Sequence, residues 1–139
     1  MTTAINTNIL LDVLIPSEAF YEASAATLER SAARLMVVCD IGYAELSVHF
    51  ESQSECNDFL EGNDIRVEPL TRQAHFLASR AWRMCRTSGG KRSRILADFL
   101  IGAHAQEQAT RLLSRDRGFY RKLFPALAVF DPSTTRSSP

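Results

Sequence analysis

Ala4-Ile5-Asn6-Thr7-Asn8-Ile9-Leu10-Leu11-Asp12-Val13-Leu14 passes from an apolar opening through three polar residues into an apolar helical pattern. A parallel strand that ends in a polar turn and feeds a helix puts that turn in the crevice at the carboxyl edge of the sheet, where open α/β folds build their sites. Polar side chains belong in such a turn.

Working outward, the pattern predicts a strand over about 3–6 and a first helix from about 9 to 14, stopped near Pro16. Ser17 reads as the N-cap of a long helix over 18–34, and Leu35-Met36-Val37-Val38 as a buried strand. Asp40 reads as the cap of a helix that carries Tyr43, Leu46 and one acid, Glu45, among apolar neighbours. A short amphipathic helix with Cys56, Phe59 and Leu60 follows, and Gly62 is its expected C′ residue. The alternation over 65–70 suggests a strand, and Thr71 caps a helix through Trp82 and Cys85. After a glycine-containing basic loop, residues 95–108 return to helix, Arg111-Leu112-Leu113 is a short strand, 116–124 is helical and 127–130 is a last strand. Residues 1–131 are expected to form one domain and 132–139 a flexible tail. Strands alternating with helices imply right-handed crossovers and a mainly parallel sheet covered on both faces, so the fold class is α/β.

Composition excludes more than it selects. With 139 residues, 45% of them hydrophobic, the chain fits one globular domain, and its sixteen basic and sixteen acidic side chains cancel. Any attraction to nucleic acid must then be local. The apolar runs are too short to span a membrane and the start lacks a signal-like pattern, so a cytoplasmic protein is expected. Cys39, Cys56 and Cys85 are odd in number and form no C-x-x-C pair, which argues against a disulfide framework or a zinc site.

Four polar positions, Asn6, Glu45, Asp98 and Asp116, fall at carboxyl ends of strands or at the helix starts beyond them. Carboxylates gathered in one crevice repel unless a cation neutralises them. Oxygen ligands without His or Cys favour Mg2+, with Mn2+ as the alternative. Such an ion would activate water toward a phosphodiester.

The chain resembles the PIN-domain ribonucleases and, within them, the VapC-type toxins of toxin–antitoxin pairs. The residues that carry the resemblance are Ile5-Asn6-Thr7-Asn8-Ile9-Leu10-Leu11-Asp12, Tyr43-Ala44-Glu45-Leu46, the stretch from Arg94 to Ala105, and Leu112-Leu113-Ser114-Arg115-Asp116-Arg117-Gly118-Phe119-Tyr120. In that order they cover almost the whole chain. The resemblance implies a five-stranded, mainly parallel sheet flanked by helices in three layers. It also implies a metal-dependent endoribonuclease, an RNA substrate, a homodimer and a cognate antitoxin that lays a peptide across the groove. Carried over by position, it makes Asn6 the site of the first metal-binding Asp, with Glu45, Asp98 and Asp116 as the other acids. Asn8 and Ser114 would orient the acids or contact substrate.

Asn6 departs from this pattern. An amide keeps the shape of a carboxylate without its charge, so metal affinity should fall while folding is spared. An engineered inactivating substitution or a natural Asn in a weakened or inert paralogue would each explain it, and the first is favoured because the other site positions are intact. The rival reading is a non-catalytic module that binds RNA or an antitoxin peptide. An aspartyl-phosphate phosphatase is disfavoured, since no carboxylate follows the first strand.

Outside the resemblance, Glu45, Asp98 and Asp116 would read as solvated or helix-start acids. Asp12 fits a surface or capping role as well as a functional one. Arg80, Arg83, Arg86, Lys91, Arg92 and Arg94 have no acid among them and suit either a phosphate-contacting patch or a solvated face; within it, Lys91, Arg92 and Arg94 are the expected substrate contacts. His49, His75 and His104 have no metal-site spacing, and His104 should be packed and hydrogen-bonded. Trp82 and Phe76 are expected in the core or at a subunit interface.

Overall fold

A computed structural model of the chain describes residues 1–16, 18–87 and 95–134. The expected cap Ser17 and the basic residues Lys91, Arg92 and Arg94 lie outside the described residues. Five short strands, β1 (Thr2–Ile5), β2 (Leu35–Cys39), β3 (Ile65–Glu68), β4 (Arg111–Leu113) and β5 (Ala128–Phe130), pair in parallel in the order β3-β2-β1-β4-β5. The sheet is parallel throughout, and the PIN-like α/β expectation holds.

Strand β1 is central, with Ala4 beside Val37 of β2 on one side and Leu112 of β4 on the other. The chain steps outward from β1 through β2 to β3, then crosses back to add β4 and β5 beyond β1. The direction of winding therefore reverses between β1 and β4, and a crevice opens at their carboxyl ends.

Alternation along the strands divides the core. Ala4, Val37, Cys39 and Leu112 face a cluster built from α5 (Arg72–Thr87), α6 (Leu96–Gln108) and α7 (Arg117–Leu123). Ile5, Met36, Val38 and Leu113 face the other cluster, with Ile9 and Leu10 of α1 (Thr7–Leu14), Leu28 of α2 (Tyr21–Ser31), Leu46 of α3 (Asp40–Ser47) and Leu60 of α4 (Gln53–Gly62). Both faces of the inner strands are covered, which is why β2 reads as a continuous apolar run.

Helix α6 approaches the end of α7 closely. A Cβ on Gly102 would lie 2.5 Å from Cε2 of Phe124, itself 1% exposed, so only a hydrogen fits there. Helices α5 and α6 pack as an antiparallel pair: Thr71 donates its N–H to Gln108 Oε1 at 3.0 Å, and Gln108 Nε2 returns a bond to the Pro69 carbonyl at 3.1 Å. Ala74, Ala78 and Ala81 form the buried side of α5, and their small size lets the two helix backbones approach.

Several local expectations shift. Helix α1 begins at Thr7 rather than Ile9, because Asn6 caps it: its carbonyl accepts from Ile9 N at 3.0 Å and its Oδ1 from Asn8 N at 3.5 Å. The expected helix over 18–34 is shorter, Tyr21–Ser31, since Arg34 N closes a turn on the Ser31 carbonyl that turns the chain into β2. The cap of α3 is Cys39, whose Sγ accepts from Gly42 N, and Asp40 is the first helical residue. Asp40 Oδ1 instead accepts from Ile41 N and Leu70 N, which ties the start of α3 to the segment after β3. Gly62 stays helical; Asn63 caps α4 with its backbone N–H and side-chain amide, and the left-handed residue is Asp64 at φ 59°. Thr71 caps α5 through Oγ1 to Ala74 N as expected. Beyond β5, Pro132–Thr134 form a 3-10 turn against α2.

Asp12 takes no surface role. It is 5% exposed and receives Arg115 Nε at 2.7 Å and Nη2 at 3.0 Å, with Ser24 Oγ at 2.8 Å. The Arg115 guanidinium also lies 3.9 Å from the centre of the Phe20 ring. This ion pair clamps α1 and α2 to the turn between β4 and α7, the turn that carries the polar end of the crevice.

Two stability outcomes follow from this packing. Gly102→Ala should cost about 1–3 kcal/mol through overpacking against Phe124, whereas Gly62→Ala, with open space around its Cβ, should cost nothing; thermal or urea unfolding of both variants compares them. Arg115→Ala leaves the Asp12 carboxylate buried with the Ser24 hydroxyl and without its cation. Loss of about 3 kcal/mol in the same assay is expected, and an unchanged midpoint would show that the clamp is dispensable.

Candidate active-site crevice

The crevice is built where β1 and β4 end side by side. Asn6 N donates to the Leu113 carbonyl at 2.9 Å and Ser114 N to the Phe130 carbonyl at 3.0 Å, so the ladder carries both polar residues one step past their strands. Asn6 is 8% exposed and Ser114 is fully buried. Asn6 Nδ2 donates to Ser114 Oγ at 2.9 Å and reaches the Tyr120 hydroxyl at 3.4 Å. Ser114 Oγ also accepts from Asp116 N at 2.9 Å, which sets the backbone of Asp116 at the N-cap position of α7. One hydroxyl thus links Asn6 to the start of α7.

Asn8 joins the same edge by accepting Arg115 N on Oδ1 at 3.4 Å. On the other side, Thr7 Oγ1 donates to Glu45 Oε1 at 2.9 Å and fixes the α3 acid beside the start of α1. That approach needs Gly42, where a Cβ would lie 2.7 Å from Val38 Cγ2 and 3.3 Å from Thr7 Oγ1. Asp98 sits in the first turn of α6, and its Oδ2 accepts from Ile95 N at 3.3 Å, reaching back to the residue that opens its own helix.

The geometry therefore joins Asn6, Asn8, Ser114 and Asp116 in one hydrogen-bonded edge and holds Glu45 on Thr7, while the bond recorded for Asp98 is local. Among the described residues, no three His, Cys, Asp or Glu side chains form a group that could hold a metal ion. The donors are the hard oxygens that Mg2+ or Mn2+ prefers, but with an amide at position 6 the arrangement does not make a complete metal centre. As it stands, the crevice is a polar hydrogen-bonded network.

Three contributors were invisible in the sequence reading: Thr7, which orients Glu45; Tyr120, whose hydroxyl reaches Asn6; and the Asp12–Arg115 pair behind the crevice. Tyr120, at least, falls within a turn of Asp116, where a buried aromatic hydroxyl is a natural partner for the strand end. Thr7 and Glu45 lie 38 positions apart, and no local pattern pairs them. His104 is packed and hydrogen-bonded, as expected: it is buried and bonds Glu68 Oε1 at 2.8 Å. All three cysteines are free thiols, and burial pushes the Cys39 thiol up to about 11, so it is protonated and unreactive at neutral pH. No helix among the described residues is long and apolar enough to cross a membrane.

No curated protein sequence matches the chain. Among solved structures it is similar to FitAcB from Neisseria gonorrhoeae, at 21% identity and a TM-score of 0.73 over 96% of this chain and 99% of that one. It is also similar to VapBC2 from Rickettsia felis bound to a DNA fragment from their promoter, at 19% identity and 0.69 over 94% and 98%. A toxin–antitoxin complex from Klebsiella pneumoniae matches at 18% identity and 0.63 over 94% and 97%. At these identities the likeness is one of fold. Residues 4–124 match the model of the PIN domain, a span that holds every crevice residue from Asn6 to Tyr120, and the chain therefore belongs to the PIN-domain family.

Proposed function

We propose that this protein is a VapC-type toxin, a metal-dependent endoribonuclease whose RNA-cutting chemistry is switched off in this chain by the amide at position 6. The observation that carries the reading is the Asn6–Ser114–Asp116 edge: a side chain of carboxylate shape held at the reversal point of a PIN sheet, beside acids on two flanking elements. The chemistry the divalent cation supplies to such a site is charge neutralisation and activation of water. The chain's own residues orient the acids. Thr7 aims Glu45, Ser114 sets Asp116, and Asn8 steadies the turn at Arg115.

The network also explains how an acid at position 6 would be accepted. Asn6 Nδ2 is a donor to two hydroxyl oxygens, and hydroxyls serve as donors as readily as acceptors. Ser114 receives Asp116 N on its oxygen and keeps its own hydrogen free to turn toward a carboxylate at position 6. The Asn6→Asp chain gains a charge and keeps the edge intact.

Partners follow from the same reading. The likeness to toxin–antitoxin complexes supports a cognate antitoxin, and a second copy of this chain is the proposed homodimer partner. A groove of about 490 Å³ between α1, α2 and the end of α4, lined by Val13, Tyr21, Leu28, Glu29 and Asp64, offers the antitoxin segment a mixed apolar and acidic seat.

RNA cleavage by the chain and by its Asn6→Asp variant, with Mg2+, with Mn2+ and with chelator, tests the reading. Cleavage by the variant alone, abolished by chelator, is the expected result. If neither protein cuts a broad panel of RNAs while both bind them, the chain is a non-catalytic binding module. In the Asn6→Asp background, Thr7→Val should lower cleavage about 10–100-fold by releasing Glu45, with the fold retained by circular dichroism. An unchanged rate would remove Thr7 from the site.

A further inference from the structure

The span between Glu68 and Asp98 contains no acidic residue and seven Lys or Arg. The described part of it is α5, which turns its alanines inward and a different surface outward. Arg72, Phe76, Arg80 and Arg83 recur at intervals of four, four and three, so they share the stripe opposite Ala74, Ala78 and Ala81. Phe76 is 59% exposed, unusual for a ring on a charged helix. The Arg80 guanidinium lies 4.5 Å from the centre of that ring, and on the flank Arg86 lies 5.1 Å from the centre of Trp82. Among the described residues, none of Arg72, Arg80, Arg83 and Arg86 pairs with a carboxylate.

We propose that this face of α5 is a binding track for single-stranded RNA, in which the arginines take backbone phosphates and the Phe76–Arg80 and Trp82–Arg86 stacks take bases. Aromatic rings and guanidinium planes are the groups on which unpaired bases stack, and carboxylate-free arginines are the groups that exchange counterions for phosphates. An apolar protein partner would leave four unpaired guanidiniums at the interface, which is costly, whereas a polyanion satisfies them. Because α5 runs antiparallel to α6, the end that carries Arg83 and Arg86 is the end beside the first turn of α6, where Asp98 sits. A strand on α5 therefore leads toward Asp98 at the start of α6. This proposal rests on the ribonuclease reading but concerns binding and not cleavage.

The test uses the full chain with Asn6 in place, so that RNA is held and not cut. A labelled, short single-stranded RNA of mixed sequence is titrated at several salt concentrations against the parent, Arg80→Gln/Arg83→Gln/Arg86→Gln, Phe76→Ala, and Arg30→Gln/Arg66→Gln as a control away from α5. The triple variant should bind at least about tenfold more weakly at low salt, with a slope of log affinity against log salt shallower by about 2, the loss of three phosphate contacts at about 0.7 each. Phe76→Ala should lose about fivefold or more with the slope unchanged. The control should match the parent. Equal affinity and slope in the parent and triple variant overturn the proposal, as does a triple variant that binds RNA normally and loses self-association, which would make the face a protein interface. If the Asn6→Asp variant cuts RNA while the α5 variants bind as the parent does, this proposal alone fails. If no form binds or cuts RNA, the ribonuclease reading fails with it.

Discussion

The Ser114 hydroxyl stands at the point on which the polar end of this fold depends. It is fully buried, accepts from the Asn6 amide across the β1–β4 boundary and from the backbone of Asp116 at the start of α7. A buried hydroxyl with two donors on its oxygen is a costly group to strand, so the two strand ends and the following helix settle together or not at all. The crevice inherits its shape from that requirement. Strand pairing delivers Asn6 and Ser114 to adjacent places, and the side chains then lock the turn that follows.

Behind this edge the Asp12–Arg115 pair performs a second fastening. Arg115 follows Ser114 directly, so one residue of the turn faces the crevice and the next reaches under α1 to a carboxylate 5% exposed. The bidentate geometry and the Ser24 hydroxyl satisfy both Asp12 oxygens, which is what makes a charge tolerable at that depth. Acids that both reach the turn after β4 thus divide by environment. Asp12 is consumed by structure, whereas Asp116 is set at a helix start by the bond from its backbone N–H to Ser114.

An amide at position 6 fits this arrangement without strain, because both of its hydroxyl partners accept as easily as they donate. A carboxylate would be held by the same partners with the hydrogens reversed. The hydrogen-bond partners at position 6 can therefore serve either an Asn or an Asp.

Much of this was legible along the chain. The apolar run at 35–38 marked a buried strand because both of its faces lie under helices, and the strand-to-polar-turn switch at Asn6 marked the crevice because parallel strands end there. Local hydrogen bonds moved some boundaries. Cys39 outcompeted Asp40 as a cap once Asp40 was drawn to Leu70 N, and Asn63 kept Gly62 within α4 by bonding its last carbonyls. The sequence by itself determined the alternation of strands and helices and the polar residues at their joints, since those depend on neighbours within a turn or two. Only the tertiary structure decided that β1 is central, that Thr7 holds Glu45 and that Arg115 neutralises Asp12. Those facts depend on contacts between residues 38 to 108 positions apart, which packing and not local propensity brings together.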